Sequence, residues 1–175
     1  MNPFQRKDRR NVTLDTNVLI SYIISKKDNS VVKSVVTKSV RDDNLMITDI
    51  IRDEILAYAD KKDSRLSREE LQKGIDSLDI PIVMLTPPPS KEELQRKYGI
   101  RDISDGKILY SVEMTDSVIL VTYDDDFFDG RISGLNVEIM DPVFYLYETD
   151  IRNGKYVPDR KSNRRHVRIT RGGGR

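Results

Sequence analysis

The sequence predicts a single α/β domain with a largely parallel sheet and helices on both faces. Three observations lead to this prediction. The chain has 175 residues, a length that suits one core. Short apolar strand patterns alternate with helical patterns along its length. Residues 117–121 form an unbroken apolar run after one serine, which is typical of a strand covered on both faces.

The first half of the chain opens with a strand followed by a helix. Residues 12–14 have the pattern of a short buried strand, and residues 16–24 follow with apolar side chains at helical spacing. Residues 31–40 carry valines at helical spacing and are predicted as a helix, although valine favours strands. Residues 45–47 are predicted as the second strand, and a helix follows them to about Ala59.

Capping signals mark the helices of the second half. Ser67 with Glu70 and Ser90 with Glu93 fit capping boxes, and Gly99 supplies a stop for the second helix. Both pairs therefore predict helix starts.

The remaining elements continue the alternation. Three further strands are predicted, over residues 82–85, 117–121 and 137–140. A helix is predicted to begin at Asp102. Asp141 and Pro142 predict the last helix, because aspartate caps helices and proline suits the first helical position.

Composition excludes several kinds of chemistry. The chain has no cysteine and one histidine, His166. Disulfide frameworks, thiolate zinc sites and cysteine nucleophiles are therefore excluded, and chemistry must run on carboxylates, hydroxyls, lysines and arginines. No apolar stretch is long enough to cross a bilayer, and the first residues do not resemble a signal peptide. We therefore expect a cytoplasmic protein without a membrane partner.

Charge is unevenly distributed along the chain. Residues 151–175 contain nine Lys or Arg and one acid, whereas residues 1–150 contain 21 basic and 28 acidic residues. This composition is typical of a disordered extension that binds nucleic acid, so we expect a domain over residues 1–150 and a basic tail over residues 151–175. A terminus that is only solvated would have the same composition. The candidates for nucleic-acid contact in the tail are Arg164, Arg165, Arg168 and Arg171.

Acidic residues follow the predicted strands. Asp15 comes directly after the first strand, and Asp124 and Asp126 follow the strand over residues 117–121. Glu54 lies in the helix after the second strand, and Asp105 lies at the start of the helix that precedes the long apolar strand. In open α/β sheets, ligand sites form beyond the carboxyl ends of the strands. Crowded carboxylates need cations to remain ionised, and oxygen ligands without thiols or imidazoles favour Mg²⁺ or Mn²⁺.

Each acid also has a structural interpretation. Asp15 could cap the helix that begins at Thr16, and Asp105 could lie in the first turn of its helix. Asp124 and its neighbours could form a polar turn.

Four segments together resemble PIN domains. The strand that ends in Asp15-Thr16-Asn17 is similar to the opening of that family, and a threonine six residues before Glu54 is similar to its second motif. Asp105 resembles the third motif, and the Thr-x-Asp-x-Asp-Phe run that ends at Phe127 resembles the fourth. The resemblance covers roughly residues 11–128, and its style is similar to VapC-type toxins of toxin-antitoxin pairs. It implies a PIN-like three-layer α/β/α sandwich.

The resemblance also implies a mechanism. The chain would be a metal-dependent ribonuclease that leaves 5′-phosphate and 3′-hydroxyl ends, and its cofactor would be Mg²⁺ or Mn²⁺. Asp126 would be a further metal ligand or a neighbour of one, whereas Asp125 would point away from the site. Thr16, Asn17 and Thr122 would orient the metal-bound carboxylates. The catalytic metal ligands would be Asp15, Glu54, Asp105 and Asp124.

The resemblance extends to partners. It implies RNA as the substrate, to which the four tail arginines would bind, together with an antitoxin protein and a homodimer. Lys107 and Arg101 are further candidates for contact with the phosphate backbone.

Other functions are compatible with parts of the pattern. A PIN-like protein could bind RNA or a protein partner without cutting, and the same acidic site could cleave DNA. A haloacid-dehalogenase-type phosphotransferase would need Asp-x-Asp-x-Thr after the first strand, where this chain has Asp15-Thr16-Asn17. That alternative is therefore disfavoured.

Overall fold

The computed structural model describes residues 7–25, 30–156 and 165–171. Within these ranges, a six-stranded sheet is flanked by seven α-helices, so the predicted α/β fold is confirmed. The strands are β1 (Asn11–Leu14), β2 (Asn44–Thr48), β3 (Ile82–Val83), β4 (Ile119–Val121), β5 (Val137–Met140) and β6 (His166–Ile169). The helices are α1 (Thr16–Ile24), α2 (Val31–Arg41), α3 (Asp49–Ala57), α4 (Arg68–Asp76), α5 (Lys91–Tyr98), α6 (Ile103–Met114) and α7 (Pro142–Arg152).

The strand order places a switch point in the centre of the sheet. The order is β3-β2-β1-β4-β5-β6, and all neighbouring pairs are parallel except β5 and β6. The chain builds outward from β1 to β3 and then returns to the other side of β1 with β4. Ligands of open α/β sheets bind beyond the carboxyl ends of the two strands at such a reversal. The residues that follow β1 and β4 therefore face the expected binding crevice.

The central strands are buried on both faces, as their apolar sequences predict. Val12 and Leu14 in β1 and Leu120 in β4 are fully buried. Helix α2 packs against α1 and α7, and α5 packs against α6. This arrangement is the expected three-layer α/β/α sandwich. No helix within the described ranges is long and apolar enough to cross a membrane.

The predicted caps form. Both Ser67 and Ser90 make capping boxes with the glutamate three residues later. Asp141 caps α7 by accepting a 2.7 Å hydrogen bond from the amide of Phe144. Strand β3 is shorter than predicted, because the amide of Leu85 donates to the carboxylate of Asp49 (3.2 Å) rather than to a neighbouring strand.

The structure corrects the expectation that residues 151–175 form one disordered extension. Helix α7 continues to Arg152, and β6 pairs with β5 in antiparallel register, with Val137 opposite Ile169. The signal in the sequence is the alternation of polar and apolar residues over β6, with Ile169 buried. Residues 157–164 and 172–175 lie outside the described residues, and the domain boundary at residue 150 stays a prediction.

An ion-paired cluster lies at the amino ends of β1 and β2. Asp43 and Glu148 are each about 4% exposed. Arg10 bonds to both, at 3.0 Å from Asp43 and 2.5 Å from Glu148, and the Tyr145 hydroxyl donates to Asp43 at 2.7 Å. Lys38 lies 3.5 Å from Glu148. The cluster connects α2 and α7 to the amino ends of β1 and β2, at the end of the strands opposite the switch-point crevice.

Two glycines lock the end of α5 to the segment that leads into β5. Gly99 has φ +70°, and a Cβ there would lie 2.4 Å from the carbonyl oxygen of Arg131. Gly134 has φ +80°, and a Cβ there would lie 2.4 Å from the carbonyl oxygen of Lys97. The amide of Ser133 donates to the carbonyl of Tyr98 at 3.1 Å. The two backbones therefore touch only because neither glycine has a side chain.

We predict that Gly99→Ala destabilises the fold by about 3 kcal/mol, because left-handed strain and a backbone overlap add together. Gly154→Ala is the matched control: its φ is also positive, at +69°, but nothing lies within 4 Å of its Cβ position. The control should lose only about 1 to 2 kcal/mol from the strain. Urea unfolding of the parent and both variants measures the difference. Equal losses in the two variants would show that the close approach at Gly99 does not matter.

Candidate active site

A cavity of about 650 Å³ opens at the carboxyl ends of β1 and β4. It lies at the switch point of the sheet, where the topology places the binding crevice. Residues of α1, α3, α6 and the turn after β4 line it. Among the lining residues are all five acids that the sequence singles out, Asp15, Glu54, Asp105, Asp124 and Asp126.

Asp15 is fixed at the base of the cavity. It is 6% exposed, and its backbone amide donates to the carbonyl of Val121 at 2.9 Å. Its carboxylate accepts one hydrogen bond on each oxygen, from the Thr122 hydroxyl at 2.6 Å and from the Thr16 amide at 2.7 Å. Asp15 thus caps α1, as its structural interpretation expects, and also lines the cavity, where its role as a metal ligand stays a prediction.

The three residues expected to orient carboxylates lie at this site. The Thr16 hydroxyl donates to Glu54 at 2.7 Å and so connects α1 to α3, while Thr122 holds Asp15. Asn17 lines the cavity, and among the described residues its buried Oδ1 has no hydrogen-bond partner. A buried acceptor without a donor is costly, so this atom is available to a water or ligand in the cavity.

The acidic turn after β4 is built on Thr122. Its hydroxyl accepts from the amide of Asp124 at 2.9 Å, and Asp124 in turn accepts from the amide of Asp126 at 2.9 Å. A short 3-10 helix over Asp125–Phe128 follows, anchored by the buried Phe127. Asp125 does not line the cavity and pairs instead with Arg165, which agrees with the expectation that it points away.

Two of the acids have raised pKa values. The pKa of Asp15 rises to about 6, chiefly because burial removes water from the carboxylate, with smaller contributions from Glu54 and Asp124, while its hydrogen bonds from Thr122 and Thr16 oppose the shift. The pKa of Asp105 rises to about 7, again chiefly through burial. The carboxylates that add to the Asp105 shift are Asp124, Asp102, Asp15 and Asp126. Loss of water on burial therefore raises these two pKa values more than repulsion between neighbouring carboxylates does.

The donor set fits a hydrated divalent cation. As the side chains stand, the described residues contain no group of three or more acids or histidines arranged to hold a metal ion directly. Mg²⁺ does not need such a group, because it keeps several waters and is usually held by one or two carboxylates. The cavity is lined by six carboxylates, the five named above and Asp102, and by the free oxygen of Asn17. These are ligands of the type that Mg²⁺ and Mn²⁺ prefer.

Two smaller cavities adjoin the acidic one. A cavity of about 150 Å³ shares Asp105 and Asp126 with it and is also lined by Arg101 and Arg131. A cavity of about 490 Å³ on the other side shares Glu54 and is lined by Lys107 and Pro87, among others. Sequence analysis missed Arg131, since no motif marks an arginine in an irregular segment.

Helix packing beside the site depends on Gly106, which sequence analysis also missed. A Cβ at Gly106 would lie 2.6 Å from Ile100 and 3.1 Å from Leu94. A larger residue next to Asp105 would require the side chain of Ile100 to move and Leu94 in α5 to give way by a few tenths of an ångström. The signal in the sequence that could have indicated this close packing is a glycine in the first turns of the helix predicted to begin at Asp102.

Three of the four tail arginines are engaged within the protein. Arg165 pairs with Asp125, Arg168 pairs with Glu138, and Arg171 lies 2.6 Å from Glu113. None of the three lines the acidic cavity. Arg164 lies outside the described residues. Contact with RNA stays a prediction for all four.

Comparison with known proteins identifies the family. An open α/β sheet with a carboxylate-lined crevice at its switch point defines a class of domains suited to oxygen-coordinated metal chemistry. Residues 12–131, more than half of the chain, match the PIN domain, and the chain belongs to that family.

A solved structure shares the fold. The crystal structure of VapBC2 from Rickettsia felis bound to a DNA fragment from their promoter matches with a TM-score of 0.53 and 17% sequence identity. The match covers 75% of this chain and 98% of the other. A likeness at this identity shows the fold. A search of curated proteins by sequence found no significant match.

We predict that Asp105→Asn stabilises the metal-free protein at pH 8. The folded pKa of Asp105 is about 7, against 3.8 for the ordinary group. The folded state therefore binds the proton more tightly, and this contribution to stability is full below the unfolded pKa and lost as the pH rises through about 7. Because Asp105 is partly exposed, we expect a gain of about 1 to 2 kcal/mol after allowance for solvent screening.

Unfolding measured in chelator at pH 8 and at pH 4 tests this prediction. The gain should disappear at pH 4, where the parent carboxyl is already protonated. Asp15→Asn should gain less, because it disturbs two hydrogen bonds that favour the carboxylate. A gain of equal size at both pH values would contradict an electrostatic origin.

Proposed function

We propose that the protein is a Mg²⁺- or Mn²⁺-dependent endoribonuclease that hydrolyses RNA phosphodiester bonds at the acidic cavity. The observation that supports this most strongly is the convergence of six carboxylates on one cavity at the switch point of a PIN domain. PIN domains are generally nucleases. The oxygen-only donor set supports a hard divalent cation rather than zinc.

The position of each residue in the cavity suggests its role. Asp15, Glu54, Asp105 and Asp124 would hold the cation and its waters, with Asp126 beside them at the rim. Thr122 and Thr16 fix the rotamers of Asp15 and Glu54 through short hydrogen bonds. The free Oδ1 of Asn17 can accept a hydrogen bond from a water in the cavity. A bound divalent cation would lower the pKa of a coordinated water and offset the charge on the phosphate.

The adjoining cavities support a path for a nucleic-acid strand. Arg101 and Arg131 line the smaller adjoining cavity and Lys107 lines the larger one, in each case beside acidic residues. Phosphates of a bound strand would meet these basic side chains. The proposal that the substrate is RNA rests on the family resemblance, since no described side chain is assigned to bind a 2′-hydroxyl.

The biological partners are also proposals. The likeness to the VapBC2 structure supports an antitoxin partner and the role of a toxin in a toxin-antitoxin pair. The expectation of a homodimer rests on the valine-rich α2, but Val35 and Val36 are already buried within the chain. Val31 and Val40, at the ends of α2, are 41% and 42% exposed. A homodimer therefore stays a prediction with less support from α2 than the sequence suggests.

We predict that RNA cleavage requires Mg²⁺ or Mn²⁺ and is lost in Asp15→Asn, Asp105→Asn and Asp124→Asn. Each substitution removes a ligand charge with little change in volume, so the fold should remain while the cation is lost. Cleavage of single-stranded and structured RNA, with cation or with chelator, followed by analysis of the product ends, measures this. The products should carry 5′-phosphate and 3′-hydroxyl groups.

Asp42→Asn is the control, because Asp42 lies at the amino end of β2, away from the cavity. It should cleave as the parent does. Cleavage that persists in chelator, or full activity in all three site variants, would contradict the proposed mechanism. RNA binding without any cleavage would favour the alternative, a PIN-like protein that binds RNA or a partner without cutting.

We predict that the basic segment before β6 raises RNA affinity without taking part in chemistry. Replacing Arg160, Lys161 and Arg164 with glutamine leaves the sequence of β6 intact. Each RNA phosphate that is no longer neutralised should reduce the slope of log K against log salt by about 0.7, so the slope of the triple variant should be smaller by about 2. Fluorescence anisotropy with labelled single-stranded RNA in chelator measures both affinity and slope.

A triple variant elsewhere controls for net charge. Arg65, Arg68 and Lys73 around α4 are exposed and do not line the acidic cavity. Their replacement with glutamine makes the same change in charge and should leave the salt slope nearly unchanged. If the two triple variants behave alike, net charge and not the tail sets the affinity.

A further inference from the structure

Arg165, in the chain just before β6, contacts the acidic turn that follows β4. Its guanidinium pairs with the carboxylate of Asp125 and donates to the carbonyl of Tyr123 at 3.3 Å. The same group lies over the ring of Phe128, 4.5 Å from its centroid. Tyr123 and Asp125 are the neighbours of Asp124 on either side, so Arg165 holds the backbone on both sides of a candidate metal ligand.

The backbone of Arg165 is itself fixed by hydrogen bonds. Its amide donates to the carboxylate of Asp141 at 2.5 Å, and its carbonyl accepts from the amide of Asp141 at 2.9 Å. Asp141 is 5% exposed and caps α7, so it is a rigid attachment point. Arg165 therefore connects the edge of the sheet to the turn through contacts at both ends of the residue.

The turn needs such support. Asp125 and Asp126 are both exposed, and the 3-10 helix that contains them is four residues long. Apart from the anchor at Phe127, the internal bonds of the turn run from amides to Thr122 and Asp124. These bonds orient the amides of the turn, while Arg165 adds a planar donor group and a cation-π contact from outside.

We infer that Arg165 is a positioning residue that fixes the turn carrying Asp124 and Asp126 and thereby sets the affinity of the site for a divalent cation. The inference rests on the proposed function, since it takes these acids as metal ligands. Arg165 lies outside residues 12–131, so the chain beyond the PIN match contributes to the site. Its guanidinium contacts the turn after β4, whereas Arg168 and Arg171 pair with Glu138 and Glu113, and this contact separates Arg165 from those two arginines in role.

Direct measurement of Mn²⁺ binding tests the inference. Isothermal titration of the full chain with Mn²⁺ gives the dissociation constant without any need for activity. Arg165→Ala should weaken binding by about tenfold or more, the usual effect of removing a group that orients a metal ligand. Arg168→Ala is the matched control, because Arg168 lies three residues later in β6 and pairs with Glu138, away from the turn. It should stay within about twofold of the parent.

Arg165→Lys separates charge from geometry. Lysine keeps the positive charge near Asp125 but cannot present a planar fork to Asp125 and to the Tyr123 carbonyl together. Its affinity for Mn²⁺ should therefore fall close to that of Arg165→Ala. Thermal melts in chelator check that all three variants remain folded to a similar extent.

The outcomes are distinguishable. Equal affinities in Arg165→Ala and Arg168→Ala, with binding in the parent, would overturn the inference and leave the proposed function standing. Full binding by Arg165→Lys would also overturn it, since charge alone would then suffice. Absence of Mn²⁺ binding in the parent would overturn the proposed function and the inference with it.

Discussion

Several carboxylates lie close together beyond the carboxyl ends of β1 and β4, and the side chains around them compensate in part for their charge. Burial of Asp15 and Asp105 raises their pKa values to about 6 and about 7, and nearby acids add to both shifts. Thr122 compensates in part by donating to Asp15, and Thr16 connects Glu54 to the same wall. A site whose carboxylates destabilise the metal-free protein gains the most from binding a cation. The electrostatic cost in the metal-free protein and the proposed metal-dependent activity therefore have the same origin, the crowded carboxylates.

The opposite edge of the sheet shows what acids do when they serve stability. Asp43 and Glu148 are as buried as Asp15, but Arg10 and Lys38 lie beside them. Among the described residues, no ion pair forms at Asp15, and the acids around its cavity outnumber the basic residues that line it. The difference lies in the partners rather than in the residue type. Buried acids with cationic partners tie helices to the sheet, whereas those without them are candidates for metal binding.

Sequence predicted the parts of the structure that depend on local chemistry. Apolar runs and capping residues located β1, β4 and the starts of α4, α5 and α7, and the motifs located five acids that share a cavity. It missed β6, because four residues of alternating pattern within a basic segment have the composition of a solvated tail. It also missed the roles of Arg131 and Arg165, whose places depend on contacts between segments far apart in the chain. Such contacts follow from the fold and leave no periodicity in the sequence.

Anomalous diffraction from crystals soaked in Mn²⁺ would show whether the acidic cavity binds a divalent cation, because it locates the cation without reference to activity. We expect one or two manganese peaks inside the 650 Å³ cavity, within coordination distance of Asp15 and of at least one of Asp105 and Asp124. Further oxygen ligands, several of them waters, would complete the coordination. A cavity without manganese at millimolar concentration, or a peak bound only at the Asp43 and Glu148 cluster, would contradict this expectation.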